Sequence, residues 1–149
     1  MRAVVQRVKN SSVTVDEEVI GEIGEGLLIF LGIGKEDMQE DADYLLDKIM
    51  NLRIFADEEG KMNLSALDLE KEVMIISQFT LFGDCRKGRR PSFFSAASPE
   101  KAETLYEYFV QKAQNYELKI ATGEFQAMMD IELCNDGPVT MLIDSKKKF

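Results

Sequence analysis

The apolar run Gly26–Gly34 constrains this chain more than any other feature, because Leu27-Leu28-Ile29-Phe30-Leu31 offers no polar residue to mark an outer face. So short and uniform a run reads as a central strand buried on both faces, and it falls far below the roughly 20 residues of a membrane-spanning helix. The segments before it supply neighbours. Residues 2–8 read as a strand, Asn10-Ser11-Ser12 as a turn, Val13-Thr14-Val15 as its continuation, and Val19–Ile23 as the next strand. Further on, Arg53–Phe55, Glu72–Ser77, Leu118–Ala121, Gln126–Cys134 and Val139–Ile143 read as strands too.

Two segments change period. Over residues 37–52, Ala42, Leu45, Leu46, Ile49 and Leu52 fall at helical spacing, with acidic residues weighted to the start, where they favour the helix dipole. Ser98 is a good N-cap and Pro99 fits the first helical position, so a second helix is expected to about Asn115. Short strands joined by turns, with two flanking helices, predict an α+β fold built on antiparallel sheet. At 149 residues and 45% apolar composition, a single domain over 1–149 is expected.

Chemistry is bounded by what is missing. The chain has no histidine, which removes Ser-His-Asp and Cys-His catalysis and imidazole-bound metal. Cys85 and Cys134 lie far apart and outside any CxxC spacing, so no metal and no cofactor is expected. Both thiols are expected to be reduced, although a disulfide between them stays open. No apolar stretch follows Met1–Arg7 to make a signal peptide, so a cytoplasmic protein without a membrane partner is expected. The net charge of −9 argues against general adhesion to nucleic acid. Arg86, Lys87, Arg89 and Arg90 nevertheless form one basic cluster, which reads either as a solvated loop or as a phosphate contact. Lys146-Lys147-Lys148 reads as a solvated tail.

Two short segments carry candidate chemistry. In Ser77-Gln78-Phe79-Thr80-Leu81, polar side chains follow abruptly on an apolar strand, and Gly83-Asp84 then leads into the basic cluster. That arrangement suits an anionic substrate, or an ordinary strand end whose side chains satisfy local backbone. Asn135-Asp136-Gly137-Pro138 reads as a hairpin turn, or as a cis Gly-Pro unit whose paired carbonyls could receive an ammonium group.

These two segments, with Met1–Val8, Gly83-Asp84, Arg86-Lys87-Gly88 and Arg90-Pro91-Ser92-Phe93, closely resemble the D-aminoacyl-tRNA deacylase family over essentially the whole chain. Phe82 stands where many members carry Tyr, and Cys85 where they carry Thr. The resemblance implies the deacylase fold, with a barrel-like core, and a homodimer whose active sites lie at the subunit interface. It implies hydrolysis of the ester of D-aminoacyl-tRNA, extending to mischarged glycyl-tRNA, with L-residues excluded by shape. Gly137-Pro138 of one subunit would enter the site built by Ser77, Gln78, Phe79 and Thr80 of the other, and Arg7 would hold that loop. Thr80 is the nucleophile by residue type, but a hydroxyl without a neighbouring base is a poor one, which favours help from the tRNA 2′-OH. Two rivals stay open: a non-catalytic nucleic-acid-binding module, and another histidine-free hydrolase acting on a small acyl ester.

Overall fold

A computed structural model describes residues 1–149. Its elements run β1 (Arg2–Val15), β2 (Glu18–Ile23), β3 (Gly26–Gly32), α1 (Gln39–Met50), β4 (Phe55–Ala56), β5 (Met62–Leu64), β6 (Glu72–Ser77), a 3-10 turn (Phe79–Phe82), α2 (Pro99–Gln114), β7 (Ile120–Thr122) and β8 (Asp130–Asp144). The apolar run becomes β3, in the middle of the main sheet, and every one of its residues except Phe30 is buried. Beside the six-stranded sheet, β4 and β5 form a small hairpin of their own.

The expected turn at Asn10-Ser11-Ser12 does not form. β1 runs unbroken through it, and Ser11 is buried with its hydroxyl donating to the Glu132 carbonyl at 2.8 Å. Pairing with β8 thus absorbs a triplet that composition alone assigns to solvent. Along one edge of β1, β3 pairs with Arg2–Val8 and β2 with Ser11–Val15, both antiparallel. Along the other edge, β8 pairs with Arg2–Thr14.

The sheet is mixed, not antiparallel throughout: β3–β6 and β6–β7 are parallel pairs. The reason is connectivity. The chain leaves β3 through α1 and returns to β6, then leaves β6 through α2 and returns to β7, and strand–helix–strand crossovers of this kind bring strands back parallel. Smaller differences lie at element ends. β4 starts only at Phe55, β7 occupies Ile120–Thr122, and β8 starts at Asp130 instead of Gln126.

Both helices pack on one face of the sheet. Leu45, Ile49 and Met50 of α1 and Leu105, Phe109 and Ala113 of α2 meet Val5, Leu27, Ile29 and Ile75 in the larger core. On the opposite face Val8, Val13, Ile23, Leu28, Met74 and Ile76 form a smaller core. There β2 curls toward β7 so closely that a Cβ on Gly21 would stand 3.0 Å from the Thr122 carbonyl oxygen. The sheet is therefore barrel-like and nearly closed. No helix is long and apolar enough to cross a membrane.

The C-terminal segment is tied to α1 by Asp41, whose carboxylate accepts from Lys146 Nζ at 2.8 Å and from the Met38 N–H at 2.9 Å. Burial raises the Asp41 carboxyl, but Lys146, Ser145 and the Met38 N–H outweigh it and bring the carboxyl down to about 2. A depressed folded value stabilises the native state above the unfolded value of 3.8, and that stability is lost as pH falls toward about 2. Asp41→Asn should therefore cost about 2 kcal/mol at neutral pH and almost nothing near pH 2, read by urea denaturation across that window.

Candidate active site

β6 delivers Ser77 opposite Leu31 of β3, and the Gln78 N–H continues the ladder by donating to the Leu31 carbonyl at 2.8 Å. Beyond it the chain tightens into the 3-10 turn Phe79–Phe82. Two glycines make the floor on which this turn lies. A Cβ on Gly32 would stand 3.0 Å from the Gln78 carbonyl oxygen, and one on Gly34 2.8 Å from the Phe82 ring. Arg2 closes the turn from the other side. Its Nη1 donates to the Leu81 carbonyl at 2.9 Å, its guanidinium lies 4.5 Å from the Phe82 ring centroid, and its Nε pairs with Asp144 at 3.2 Å. The Phe82 ring is therefore used for packing, and the turn needs no hydroxyl there.

This clamp leaves Phe79 and Thr80 exposed. A turn of i→i+3 bonds that starts at Gln78 gives the Phe79 and Thr80 N–H groups no partner within the turn, so two neighbouring donors are available at its start. The Thr80 hydroxyl accepts from the Gln78 side-chain amide. That amide is a donor and cannot take a proton from threonine.

Behind Ser77, Gln78 and Phe79 opens a cavity of about 610 Å³. Leu31, Ile33 and Ile76 contribute to it from the sheet, and Phe125, Met128 and Met129 from the segment before β8. Residues 126–129, expected as strand, instead complete and follow a turn over residues 124–127, in which Gln126 has φ +65° and the Ala127 N–H bonds the Glu124 carbonyl. Gly123 makes room for this fold-back, since a Cβ there would stand 2.4 Å from Met129 Sδ. A second hollow of about 570 Å³ lies between the starts of α1 and α2, lined by Glu40, Glu100 and Lys101 among others, and neither motif reaches it.

The basic cluster projects from a narrow neck, where Asp84 and Ser92 exchange both backbone hydrogen bonds at 2.8 and 3.0 Å. Next to the neck, Phe93 meets Phe79 edge-to-face with ring centroids 5.0 Å apart. The four cations are not equivalent. Arg86 forms a fork onto Asp84 at 2.8 and 2.7 Å, and its guanidinium holds the Asp84 carboxyl far below the usual carboxylate range. Lys87, Arg89 and Arg90 are exposed and make no ion pair. Cys85, on the same loop, and Cys134, on β8, are free and exposed.

Gly137-Pro138 belongs to a second group of residues. The expected hairpin between two strands is instead a bulge within the single strand β8. Gln6 pairs with Thr140 and Val8 with Asn135, so residues 136–139 loop out opposite Arg7 alone. Asn135 brackets the bulge: its Oδ1 accepts from the Val139 N–H at 2.8 Å and its Nδ2 donates to the Val139 carbonyl at 3.1 Å. Arg7 Nε donates to the Asp136 carbonyl and pairs with the Asp136 carboxylate, each at 3.1 Å, while Nη1 donates to the Ile54 carbonyl. The Gly137-Pro138 peptide is cis, Gly137 has φ +135°, and both residues are exposed.

One chain does not bring the two motifs together. Ser77 aligns through Leu31 and Ala3 with Ile143, whereas Gly137 lies opposite Arg7 on the far side of β1. Three strand spacings of ~4.8 Å and four residues of ~3.3 Å put roughly 20 Å between them along the sheet. Sequence reasoning singled out both motifs but not the Arg2 clamp, the Asn135 bracket or the Phe125–Met129 wall. Gly123 followed by Phe125 and two methionines was the available signal for the last of these.

A family model described as D-Tyr-tRNA(Tyr) deacylase matches residues 4–144. Proteins named D-aminoacyl-tRNA deacylase from Thermosipho melanesiensis and Clostridioides difficile are 60% and 59% identical to this chain, each aligned over 100% of both chains. Among solved structures, one titled "c-Myc DNA Unwinding Element Binding Protein" superposes with a TM-score of 0.91 at 42% identity, covering 97% of this chain and 98% of that one. Another, titled as a probable eukaryotic D-amino acid tRNA deacylase, superposes with a TM-score of 0.83 at 16% identity, which speaks for the fold, over 96% of this chain and 98% of that one. With its whole length matched at this identity, the chain belongs to the D-Tyr-tRNA(Tyr) deacylase family.

Proposed function

We propose that the protein hydrolyses the ester joining a D-amino acid to the terminal ribose of tRNA, at a site shared between two copies of the chain. The full-length relatives named D-aminoacyl-tRNA deacylase support the activity. The shared site rests on one observation, that the sheet register sets Ser77 level with Ile143 and three strands from β8 while Gly137 lies opposite Arg7, roughly 20 Å apart along the sheet. A second copy removes that separation. The bulge is exposed, and β8 has no partner on its outer edge, where Leu142 is 63% exposed. An unpaired edge with apolar side chains is suited to pairing with a copy of itself.

In this reading the terminal adenosine and the aminoacyl group occupy the cavity behind Ser77, Gln78 and Phe79. The Gly137 and Pro138 carbonyls of the partner subunit receive the substrate's ammonium group, and the loop leaves no room for an L side chain. A D side chain points away from the loop, and glycine has none to exclude, so glycyl-tRNA is also a substrate. Selection works by a clash and asks nothing of the side chain's identity.

Water adds to the ester carbonyl, and the Phe79 and Thr80 N–H groups stabilise the oxyanion that forms. The carbon–oxygen bond to the ribose then breaks, the ribose oxygen takes a proton, and the amino acid leaves as a carboxylate. The neighbouring ribose 2′-OH orients the water and relays the proton, because the chain has no imidazole and Thr80 has no base beside it. Lys87, Arg89 and Arg90 position the phosphate backbone, and the acidic body keeps the overall affinity for RNA moderate and salt-dependent.

Thr80→Ala should keep kcat within about ten-fold of wild type, the range of one lost positioning hydrogen bond. A complete loss of turnover with intact binding would instead make Thr80 the nucleophile. The class of activity is tested by incubating the protein with D-aminoacyl-tRNA, L-aminoacyl-tRNA and a simple acyl ester. Release of the D-amino acid alone is expected; cleavage of the simple ester would favour a general esterase, and tight binding without cleavage a binding module.

A further inference from the structure

Phe94 is 78% exposed, more than any other aromatic ring in the chain, and it does not stand alone. The Lys35 ammonium lies 3.4 Å from its ring centroid, over one face, and the high exposure leaves the rest of the ring to solvent. Phe93, the preceding residue, is the one that touches Phe79 at the mouth of the cavity. Phe94 sits in a tight turn closed by the Ala96 N–H bonding the Phe93 carbonyl, and the residues leaving that turn run antiparallel to Ile33–Lys35: the Ala97 N–H bonds the Ile33 carbonyl, and the Lys35 N–H bonds the Ser95 carbonyl. Ile33 and Ala97 line the cavity. The Gly34–Ala96 bridge therefore holds Phe94 and Lys35 beside the cavity's rim, two to three residues along the chain from these lining residues. On the other side of Phe93 stands the loop carrying Lys87, Arg89 and Arg90, which, like Lys35, make no ion pair in a chain of net charge −9.

Single exposed apolar residues are common and need no explanation. A bare ring backed by a cation, beside a cavity mouth and a set of unpaired cations, is the combination that single-stranded nucleic acid uses: bases stack on the ring and phosphates meet the cations. We propose that Phe94 is a stacking platform for an unpaired base of the tRNA 3′ end next to the terminal nucleotide, with Lys35 and the Lys87–Arg90 loop contacting the adjoining phosphates. The proposal rests on the site assigned above. It adds a contact to RNA that the ester-bearing nucleoside does not make. Lys101, whose Nζ bonds the Lys35 carbonyl, lines the hollow between the helix starts together with Glu40 and Glu100, and that hollow bounds the surface on this side.

The test compares two substrates, D-aminoacyl-tRNA and D-aminoacyl-adenosine, which retains only the terminal nucleoside. Phe94→Ala should raise KM for the tRNA roughly ten-fold, leave kcat unchanged, and leave KM for the adenosine ester at its wild-type value. Phe94→Trp should restore the tRNA KM, and Lys35→Ala should raise it by a smaller factor. An unchanged tRNA KM, or an equal rise with both substrates, would overturn the proposal, the second result making Phe94 a support of the cavity. If the wild-type protein cleaved neither substrate, the proposed activity would fall. Fluorescence anisotropy with a single-stranded oligoribonucleotide of the tRNA 3′-terminal sequence would then still decide: weaker binding by Phe94→Ala supports the stacking platform, and equal binding rejects it.

Discussion

Gly137→Ala is expected to lower kcat for D-aminoacyl-tRNA by about a hundred-fold or more, the effect that a displacement of about 1 Å at a reacting centre produces. Two independent features of Gly137 lead there. Its φ of +135° is a conformation that side chains rarely adopt. A Cβ would also stand 2.7 Å from Val139 Cγ2 and 3.1 Å from an Arg7 guanidinium nitrogen. The bulge must shift to admit a methyl group, and the shift moves the two carbonyls assigned to the ammonium group. The strain at Gly137 and the push on Val139, a member of the larger core, should also lower the thermal midpoint by a few degrees without unfolding the protein. On the proposed shared site the variant should still form the dimer, which gel filtration would show. Mixing it with a variant disabled at Gln78 should return part of the activity, because one site of each mixed dimer has both halves intact. Failure of the mixture to recover would sink the shared site, and full activity of Gly137→Ala alone would sink the gate.

Arg7→Ala is expected to damage both stability and turnover. The side chain is 13% exposed and serves the Ile54 carbonyl, the Asp136 carbonyl and the Asp136 carboxylate at once. Removing it leaves the buried Ile54 carbonyl without a donor, at about 1–3 kcal/mol, and frees the half-exposed Asp136 groups at a smaller cost, so a loss of about 3 kcal/mol is expected. In a chain of this size that corresponds to a fall in Tm of about 10 °C. The bulge also loses its only side-chain tie to β1 from Asp136, and turnover should fall with it. Arg7→Lys should recover the ion pair but little else, since a single ammonium cannot span acceptors that a guanidinium fork reaches. Calorimetry and kcat measured on the same preparation would separate the two effects. An Arg7→Ala protein with wild-type Tm would show that the contacts are incidental.

Periodicity served well where one local signal fixes one element. Leu27–Leu31 announced the central strand, the spacing of Leu45 and Ile49 announced the first helix and its buried face, and Ser98-Pro99 announced the start of the second. It failed where the outcome depends on a distant partner. Asn10-Ser11-Ser12 has a turn composition, yet the Glu132 carbonyl some 120 residues away accepts from Ser11, and the strand continues. Parallel pairing of β6 is equally invisible to a local pattern, because it follows from the route the chain takes through α1 and α2. At the site, Ser77–Thr80 and Gly137-Pro138 were legible as motifs, through the resemblance. Their separation was not, since it is set by sheet order. Nor was the Asn135 bracket, which shows only once Val139 is seen to have no strand partner for its N–H and uses a side chain instead.

The bulge in β8 also bears on what this chain avoids. A straight unpaired edge of fifteen residues would accept another strand anywhere along its length, and each added strand would present a fresh edge to the next. Residues 136–139 interrupt that edge midway, so a flat ribbon cannot zip past them. Only a neighbour with a recess can approach there, and on the proposed shared site a copy of the chain would supply it in the cavity behind Ser77. Two copies that fill each other's recess by a two-fold exchange close the assembly and leave no recess for a third. The same four residues would then select the substrate and cap the growth of what would otherwise be a fibre-forming edge.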